Sequence, residues 1–450
     1  MTDLARELYG QWWFKEGQPH VMGRLVIHVD GSVRLDLSGS LMRFDDTVPV
    51  IWGVAEGIPV TLTHCFSLIQ RGLGPGPGGE FQRLHARRAY VGAHFHPEEA
   101  IFSGARVSLE NLTGFLAAPV VNRMVDEDRP GLVAAVSGLE STAHYGEWTV
   151  TARSHADSFR SVESRASTTV STSVTPYLHL TPPEPVAVDA FNGLIQHLSD
   201  LMTLASGEAC GLVSTLFTVA TDTEPAAGDT LERFVEMPAT VEAYGRRIHT
   251  ASPDVEGTSF YEFRFTCNDI AFEDVIPAWL TLREDAATAC NVFFGMQYAR
   301  PGYTETRLLL SAIAAEGFHA AFSDTTTHMA DEDFEVLRAK VLDAVEDEDE
   351  RAWVDSALAN RMSFRRRLRA LTRIPDRAAR SLVVPDVETW VDDVVAARNT
   401  LAHTGNHTLD TNPFTLEQMT TGVLTLVLME KLGLPGEHQQ RVARELAVHD

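Results

Sequence analysis

A chain of 450 residues with 44% hydrophobic and 22% charged residues has the composition of a globular protein and exceeds one comfortable core, so two domains, or three, are expected. Its formal net charge of −25 argues against diffuse binding to a polyanion and leaves room only for a local basic site. Four scattered cysteines without a CxxC pair, a start (MTDLARELYGQWWF) that lacks a secretory pattern, and a longest late apolar run (VLTLVLM, 423–429) too short for a bilayer together predict a soluble cytoplasmic protein with no membrane contact.

Roughly the first 180 residues are strand-rich. MGRLVIHVDGSVRLDLSGSL (22–41) alternates apolar and polar residues around Asp30-Gly31, which predicts a hairpin. RGLGPGPGGE (71–80) predicts a turn; without a GK[ST] ending it is no phosphate loop. In VGAHFHPEE, His94 and His96 share a face if the segment is a strand, with Glu98 and Glu99 nearby. Two suggestively spaced ligands fall short of the three or four that a metal needs, so neither a metal nor another cofactor is expected. His85 among Arg83, Arg87 and Arg88 reads as surface decoration or an anion contact. EWTVTAR (147–153) and STTVSTSVTPYLHLTPP (167–183) are further strand signals. Residues 187–205 read as a helix, followed by short strands around GLVSTLFTVA (211–220), RFVEMPATVEAYG (233–245) and SFYEFRFTC (259–267).

After about residue 270 helical periodicity takes over. Helices are predicted over 304–322, 331–345, 351–371, 387–403 and 415–433, separated by short connectors containing Pro, Gly or Asp. The expected class is therefore α+β, with a β-rich mixed N-terminal domain (1–270) followed by an all-α bundle (271–450). Within the bundle the acidic stretch 331–350 precedes a basic strip, 360–380, that carries Arg361, Arg365, Arg366, Arg367, Arg369, Arg373, Arg377 and Arg380. Two solvated faces that pair with each other is one reading; a phosphate-docking strip is the other, since guanidinium matches phosphate bidentately.

The helix VETWVDDVVAARNTLAH (387–403) presents the apolar stripe Val387, Trp390, Val391, Val394 and Val395, and the next position on that stripe is Arg398. An arginine there is either bridged to a carboxylate such as Asp392, Asp393 or Glu388, or opens onto a cleft at a partner subunit. His403 falls in the last turn if Gly405 caps the helix, and a helix C-terminus favours the imidazolium, a group able to accept and return protons near neutral pH. Five residues at about 100° each set Arg398 and His403 roughly 140° apart, so the two converge only if the helix end loosens or a two-fold dimer forms a shared groove. Asn399 adds an amide; His407 reads as loop. Arginine, histidine and an amide without a metal suit RNA transesterification, in which the 2′-hydroxyl is the nucleophile, a histidine takes its proton and arginine stabilises the phosphoryl charge.

RNTLAH (398–403), with Asn directly after Arg, resembles the R-x4-H motif of HEPN ribonucleases. YTETRLLLSAIAAEGFH (303–319), ending on Glu316 and His319, is similar to the opening helix of the ApeA-like HEPN group, and YGQWWFKEGQPHVMGRLVIHVDGSVRLDLSGSL (9–41) resembles the start of the ApeA N-terminal domain. The resemblance implies a bacterial anti-phage protein that acts by abortive infection: a HEPN homodimer, or higher homo-oligomer, cuts RNA without metal, and a sensing or regulatory N-terminal domain responds to a phage-derived trigger. Arg398 and His403 become the catalytic pair with Asn399 beside them, and Arg361, Arg365, Arg366, Arg367 and Arg369 become candidates for RNA contact. Transfer RNA, mRNA and ribosomal RNA are all open as substrates. The rival reading is a non-catalytic HEPN dimerisation or sensing module in which Arg398 is structural.

Overall fold

The Asp30-Gly31 signal forms the predicted turn, joining β2 (Val21–His28) to β3 (Val33–Leu37). Asp30 Oδ1 accepts the Ser32 amide at 2.9 Å, and Gly31 sits at φ +78°, where a Cβ would also lie 2.3 Å from the Gly245 carbonyl oxygen, so both backbone conformation and space call for glycine. The computed structural model describes residues 4–447 apart from 16, 72–79, 118–120, 126–131, 137–139, 164, 221–238, 253–254, 256, 300–301, 324, 326 and 404–411, and of some of the described residues the backbone alone. The turn expected at 71–80 and most of the stretch 233–239 lie outside the described residues.

Four more strands join the hairpin: β1 (Leu4–Trp13), β4 (Thr47–Ala55), β5 (Ile58–Arg71) and β6 (Phe81–Val91). Their antiparallel order β6-β3-β2-β1-β4-β5 returns to β6, which pairs with both β3 and β5, so these six strands close into a barrel. Alternate side chains point inward, and Leu25, Ile27, Val33, Leu35, Leu62 and Leu84 make its core. Trp12 is buried there, its indole donating to the Gly23 carbonyl at 3.3 Å.

From β6 the sheet continues beyond the barrel through β14 (Thr240–Gly245), β13 (Leu212–Val219), β7 (Phe102–Leu109), β12 (Thr168–Thr181), β11 (Trp148–Glu163) and β10 (Glu140–Tyr145), every pairing antiparallel. Short strands β8 (Val121–Val125) and β9 (Leu132–Val136) pair separately, and α1 (Leu112–Leu116) is a brief turn of helix. Helix α2 (Ala190–Ser206) buries Phe191, Leu194, Ile195, Leu198 and Leu201 and stops at Gly207, whose left-handed backbone returns its N–H to the Thr203 carbonyl. The strand expected at 259–267 does not form. Ser259 and Glu262 close a capping box over a 3₁₀ turn, Phe260–Glu262, and the alternation beyond it buries Phe263 and Phe265 outside any strand.

The chain divides into two compact units between Leu280 and Thr281. That boundary falls inside α3 (Phe272–Asp285), whose first turns pack with the N-terminal unit: the Trp279 indole donates to the His197 carbonyl at 2.6 Å. The second unit continues with α4 (Ala287–Tyr298), α5 (Thr304–Phe322), α6 (Asp331–Asp343), α7 (Glu348–Ala357), α8 (Phe364–Leu371), α9 (Arg377–Val383), α10 (Val387–His403), α11 (Pro413–Lys431) and α12 (Gly436–Leu446). The architecture is α+β, a β-rich unit followed by a helical one. Residues 351–371, expected as one helix, are two. Asn360 accepts the amides of His328 and Met329 at 3.1 Å each, and Ser363 accepts the Arg366 amide to start α8 afresh. The run 423–429 is buried in α11, and no described helix is long and apolar enough to cross a membrane.

Candidate functional site

Helix α5 is the hub of the helical unit, packing on α4, α8, α10 and α11. Small residues allow the close approach: Ala312, Ala314 and Ala315 are buried, and a Cβ on Gly317 would lie 2.9 Å from that of Ala289 in α4. Of the predicted stripe on α10, Trp390, Val391 and Val394 are buried and Val387 and Val395 half-buried; Ala397, outside that stripe, is buried as well, and the Trp390 indole donates to Thr420 Oγ1 of α11 at 3.2 Å. This packing fixes the rotation of α10 and brings Arg398 to the edge of the stripe, with 36% of its side chain exposed.

Three helices supply the surroundings of Arg398. Its Nη2 faces Glu316 Oε2 of α5 at 3.7 Å, its Nη1 reaches Asn399 Oδ1 at 3.4 Å, and its guanidinium carbon lies 5.7 Å from the centre of the Phe364 ring of α8. The other oxygen of Glu316 accepts Arg367 Nη1 at 3.1 Å. Two guanidiniums thus share one carboxylate, leaving an excess of one positive charge at a half-exposed place, an arrangement complementary to a phosphate. One turn further along α5, His319 is 1% exposed, and neither ring nitrogen has a hydrogen-bond partner among the described residues. Burial holds its pKa below the usual value; the nearby Arg367 adds to this and Glu316 opposes it.

None of Glu388, Asp392 and Asp393 is the carboxylate that faces Arg398. Glu388 accepts two bonds from Arg369 Nε at 3.0 Å each, and Asp392 is paired with Arg365. The arginines of the basic strip therefore pair with α5 and α10, whereas in the acidic stretch before it Glu335 pairs with Arg338, which also meets Asp355, and Asp331 accepts the Asn360 amide at 2.8 Å. Arg365, Arg367 and Arg369 are engaged by carboxylates, Arg366 donates to the His328 carbonyl at 3.1 Å, and Arg361 is exposed. Helix α10 runs to His403, so the motif's two ends share one helix; the His403 side chain, with Gly405 and His407, lies outside the described residues. Glu316 and Arg367 join the site by tertiary contact, and the sequence signal for the former was a Glu-x-x-His spacing at the end of a helix.

The N-terminal histidines are held structurally. His94 Nε2 bonds the Gly53 carbonyl at 2.8 Å, and His96 meets the Trp52 ring edge-on at 4.9 Å. His85 is tilted against Phe66, and burial lowers its pKa, with Arg246 adding to the effect. Arg83 bonds Asp36 and Arg88 bonds Asp189. No group of three or more His, Cys, Asp or Glu fit to hold a metal occurs among the described residues.

Residues 7–279 match the family model described as ApeA N-terminal domain 1, and residues 309–438 match the one described as Apea-like HEPN. No curated protein and no solved structure matches the chain.

Proposed function

The chain belongs to the ApeA-like family with a C-terminal HEPN domain, and from that premise we propose that it is a metal-independent RNA endonuclease of an abortive-infection defence system. The observation that carries the proposal is the setting of Arg398: half exposed, held by one long carboxylate contact that it shares with Arg367, and on the helix that ends at His403. A scissile phosphate displaces little to reach this guanidinium. Arg398 then stabilises the charge growing on the phosphoryl oxygens while Asn399 offers its amide to one of them. His403 takes the proton of the 2′-hydroxyl, whose oxygen attacks phosphorus; the bond to the 5′-oxygen breaks, leaving a 2′,3′-cyclic phosphate and, after protonation, a 5′-hydroxyl. Arg361 and Arg366 meet the flanking phosphates, and Arg365, Arg367 and Arg369 contribute where RNA competes with their carboxylates. The protein acts as a cytoplasmic homodimer on cellular RNA, transfer RNA among the candidates, once the N-terminal unit senses a phage-derived trigger.

The second reading is a non-catalytic module in which the Arg398–Glu316 pair only braces α10 against α5. The geometry gives it modest support, because half-exposed pairs contribute roughly 0–1 kcal/mol. An RNA cleavage assay in EDTA separates the two. Wild type is expected to leave 2′,3′-cyclic ends, and folded Arg398→Ala and His403→Ala proteins are expected to be inactive. Equal behaviour of all three, with and without infection-derived extract, would hand the site to the bracing role.

A further inference from the structure

In the N-terminal unit a cavity of about 240 Å³ lies beneath the β2–β3 turn, between that turn, the start of β13 and the segment that ends β14. Leu212, Val213, Ala243 and Ala251 give it an apolar wall. Three polar groups of its lining are unmatched among the described residues. Thr215 Oγ1, in a residue 3% exposed, and the buried His28 Nδ1 have no hydrogen-bond partner, and Arg247 makes neither an ion pair nor a hydrogen bond. An unpaired buried polar atom costs about 1–3 kcal/mol, so such atoms are rare in folded proteins, and two of them around one cavity beside the half-buried Arg247 form a set that calls for an explanation. Burial and the neighbouring Arg88 push the Arg247 guanidinium down to about 10, which leaves it charged at neutral pH and without a counter-ion. The nearby carboxylates are taken: Asp189 by Arg88 at 2.8 Å, Asp30 by Arg246 at 3.3 Å and by Ser32, and Glu242 by Arg6 and Tyr244.

We propose that this cavity binds a small organic anion, with its phosphate or carboxylate on Arg247, its polar edge bonded by Thr215 and His28, and its apolar body against Leu212 and Ala243. Guanidinium recognises both anionic groups in the same forked way. The volume is below the roughly 300–1,000 Å³ usual for ligand pockets, which limits the ligand to about the size of a mononucleotide. Nothing in this inference depends on the nuclease reading, since every residue of the site lies in the N-terminal unit.

The test is calorimetry and thermal unfolding of the full chain with 5′-AMP, 5′-UMP, inorganic phosphate and citrate as probes, which distinguishes a nucleotide from a free phosphate and from a carboxylate. At least one probe is expected to saturate a single site and to raise the Tm by on the order of 5 °C at hundredfold excess over its Kd. Thr215→Val is expected to weaken that probe about tenfold, the effect of one hydrogen bond to an anion. Arg247→Met is expected to abolish the shift while raising the ligand-free Tm, because it removes an uncompensated charge and its repulsion with Arg88. No saturable binding of any probe up to about 10 mM, a Kd beyond that of a working site, overturns the proposal. So does a shift that survives Arg247→Met, or a ligand-free Arg247→Met protein less stable than wild type, which would make Arg247 a structural residue.

Discussion

Replacing Glu316 with glutamine keeps the size of the side chain and removes the charge that Arg367 and Arg398 share. At 3.7 Å in water-like surroundings the Arg398 contact amounts to about 1 kcal/mol, and the 3.1 Å contact to Arg367 is of similar size. Both partners of the Arg398 pair are 36% exposed, so solvent screening reduces these values, and the variant should lose at most about 2 kcal/mol of stability. The fold survives that. Among the described residues Arg398 then keeps only its weaker contacts to Asn399 and the Phe364 ring, and if it is the catalytic group proposed above, a displacement of an ångström costs on the order of a hundredfold in rate. The local charge excess grows from one to two, so RNA should bind as tightly as before or more tightly. Single-turnover cleavage of a short RNA in EDTA, with affinity measured in parallel, is therefore expected to show a cleavage rate down 10–100-fold, on the order given by misplacement, at equal or lower Kd. An unchanged cleavage rate would refute the positioning role. A raised rate would show instead that the carboxylate restrains Arg398 by neutralising it.

Two further outcomes concern stability. Asp36, 8% exposed, accepts Arg83 Nε at 2.6 Å and faces Arg24 and Arg34 at 3.3 Å each, and of these three Arg24 also has Glu7, at 2.9 Å. Burial alone would raise its pKa, but the hydrogen bond from Arg83 and the charge of Arg34 outweigh it and hold the carboxyl below its ordinary range. Asp36→Asn should therefore lower urea stability by about 3 kcal/mol, and a loss below about 1 would show that solvent already satisfies the arginines. His319 has a lowered pKa in the folded state, so above the ordinary value of roughly 6.5 it is neutral both folded and unfolded; as pH falls below that value the unfolded chain takes up the proton first and stability is lost. The fall in Tm between pH 7.5 and 5.5 should be smaller in His319→Phe than in wild type, and parallel curves would show that His319 contributes nothing to acid sensitivity.

How much of this was legible in the sequence depended on how local the cause was. The Asp30-Gly31 hairpin and helices α5 and α10 could be read because turn residues and apolar spacing act within a few positions. Barrel closure could not, because β6 finds β3 and β14 at long sequence separation, and alternation specifies a face but no partner. The break in 351–371 is set by Asn360 capturing the loop at His328–Met329, a tertiary event that overrides a helical pattern. The carboxylate beside Arg398 followed the same rule. Local reasoning offered its own helix, yet Glu388 and Asp392 were claimed by α8, and Glu316 came from α5, 82 positions earlier in the chain.

The helix that carries Arg398 also sets a requirement on the nuclease proposal. Regular helix continues through His403, so the roughly 140° between the two positions is not relaxed by an early unwinding. In a single copy the two residues then occupy positions on different sides of the α10 axis. Under a two-fold axis, Arg398 of one protomer and His403 of its partner can face one phosphate, which makes each active site a property of the dimer. Mixing separately inactive Arg398→Ala and His403→Ala proteins distinguishes the cases. If each site draws its two groups from different protomers, the mixed dimer holds one intact site and one that lacks both groups. Random exchange makes half of the dimers mixed, so cleavage should return to about a quarter of the wild-type rate. If each site uses both groups of one chain, no intact site can arise and the mixture stays inactive, which would require the end of α10 to reshape when RNA binds.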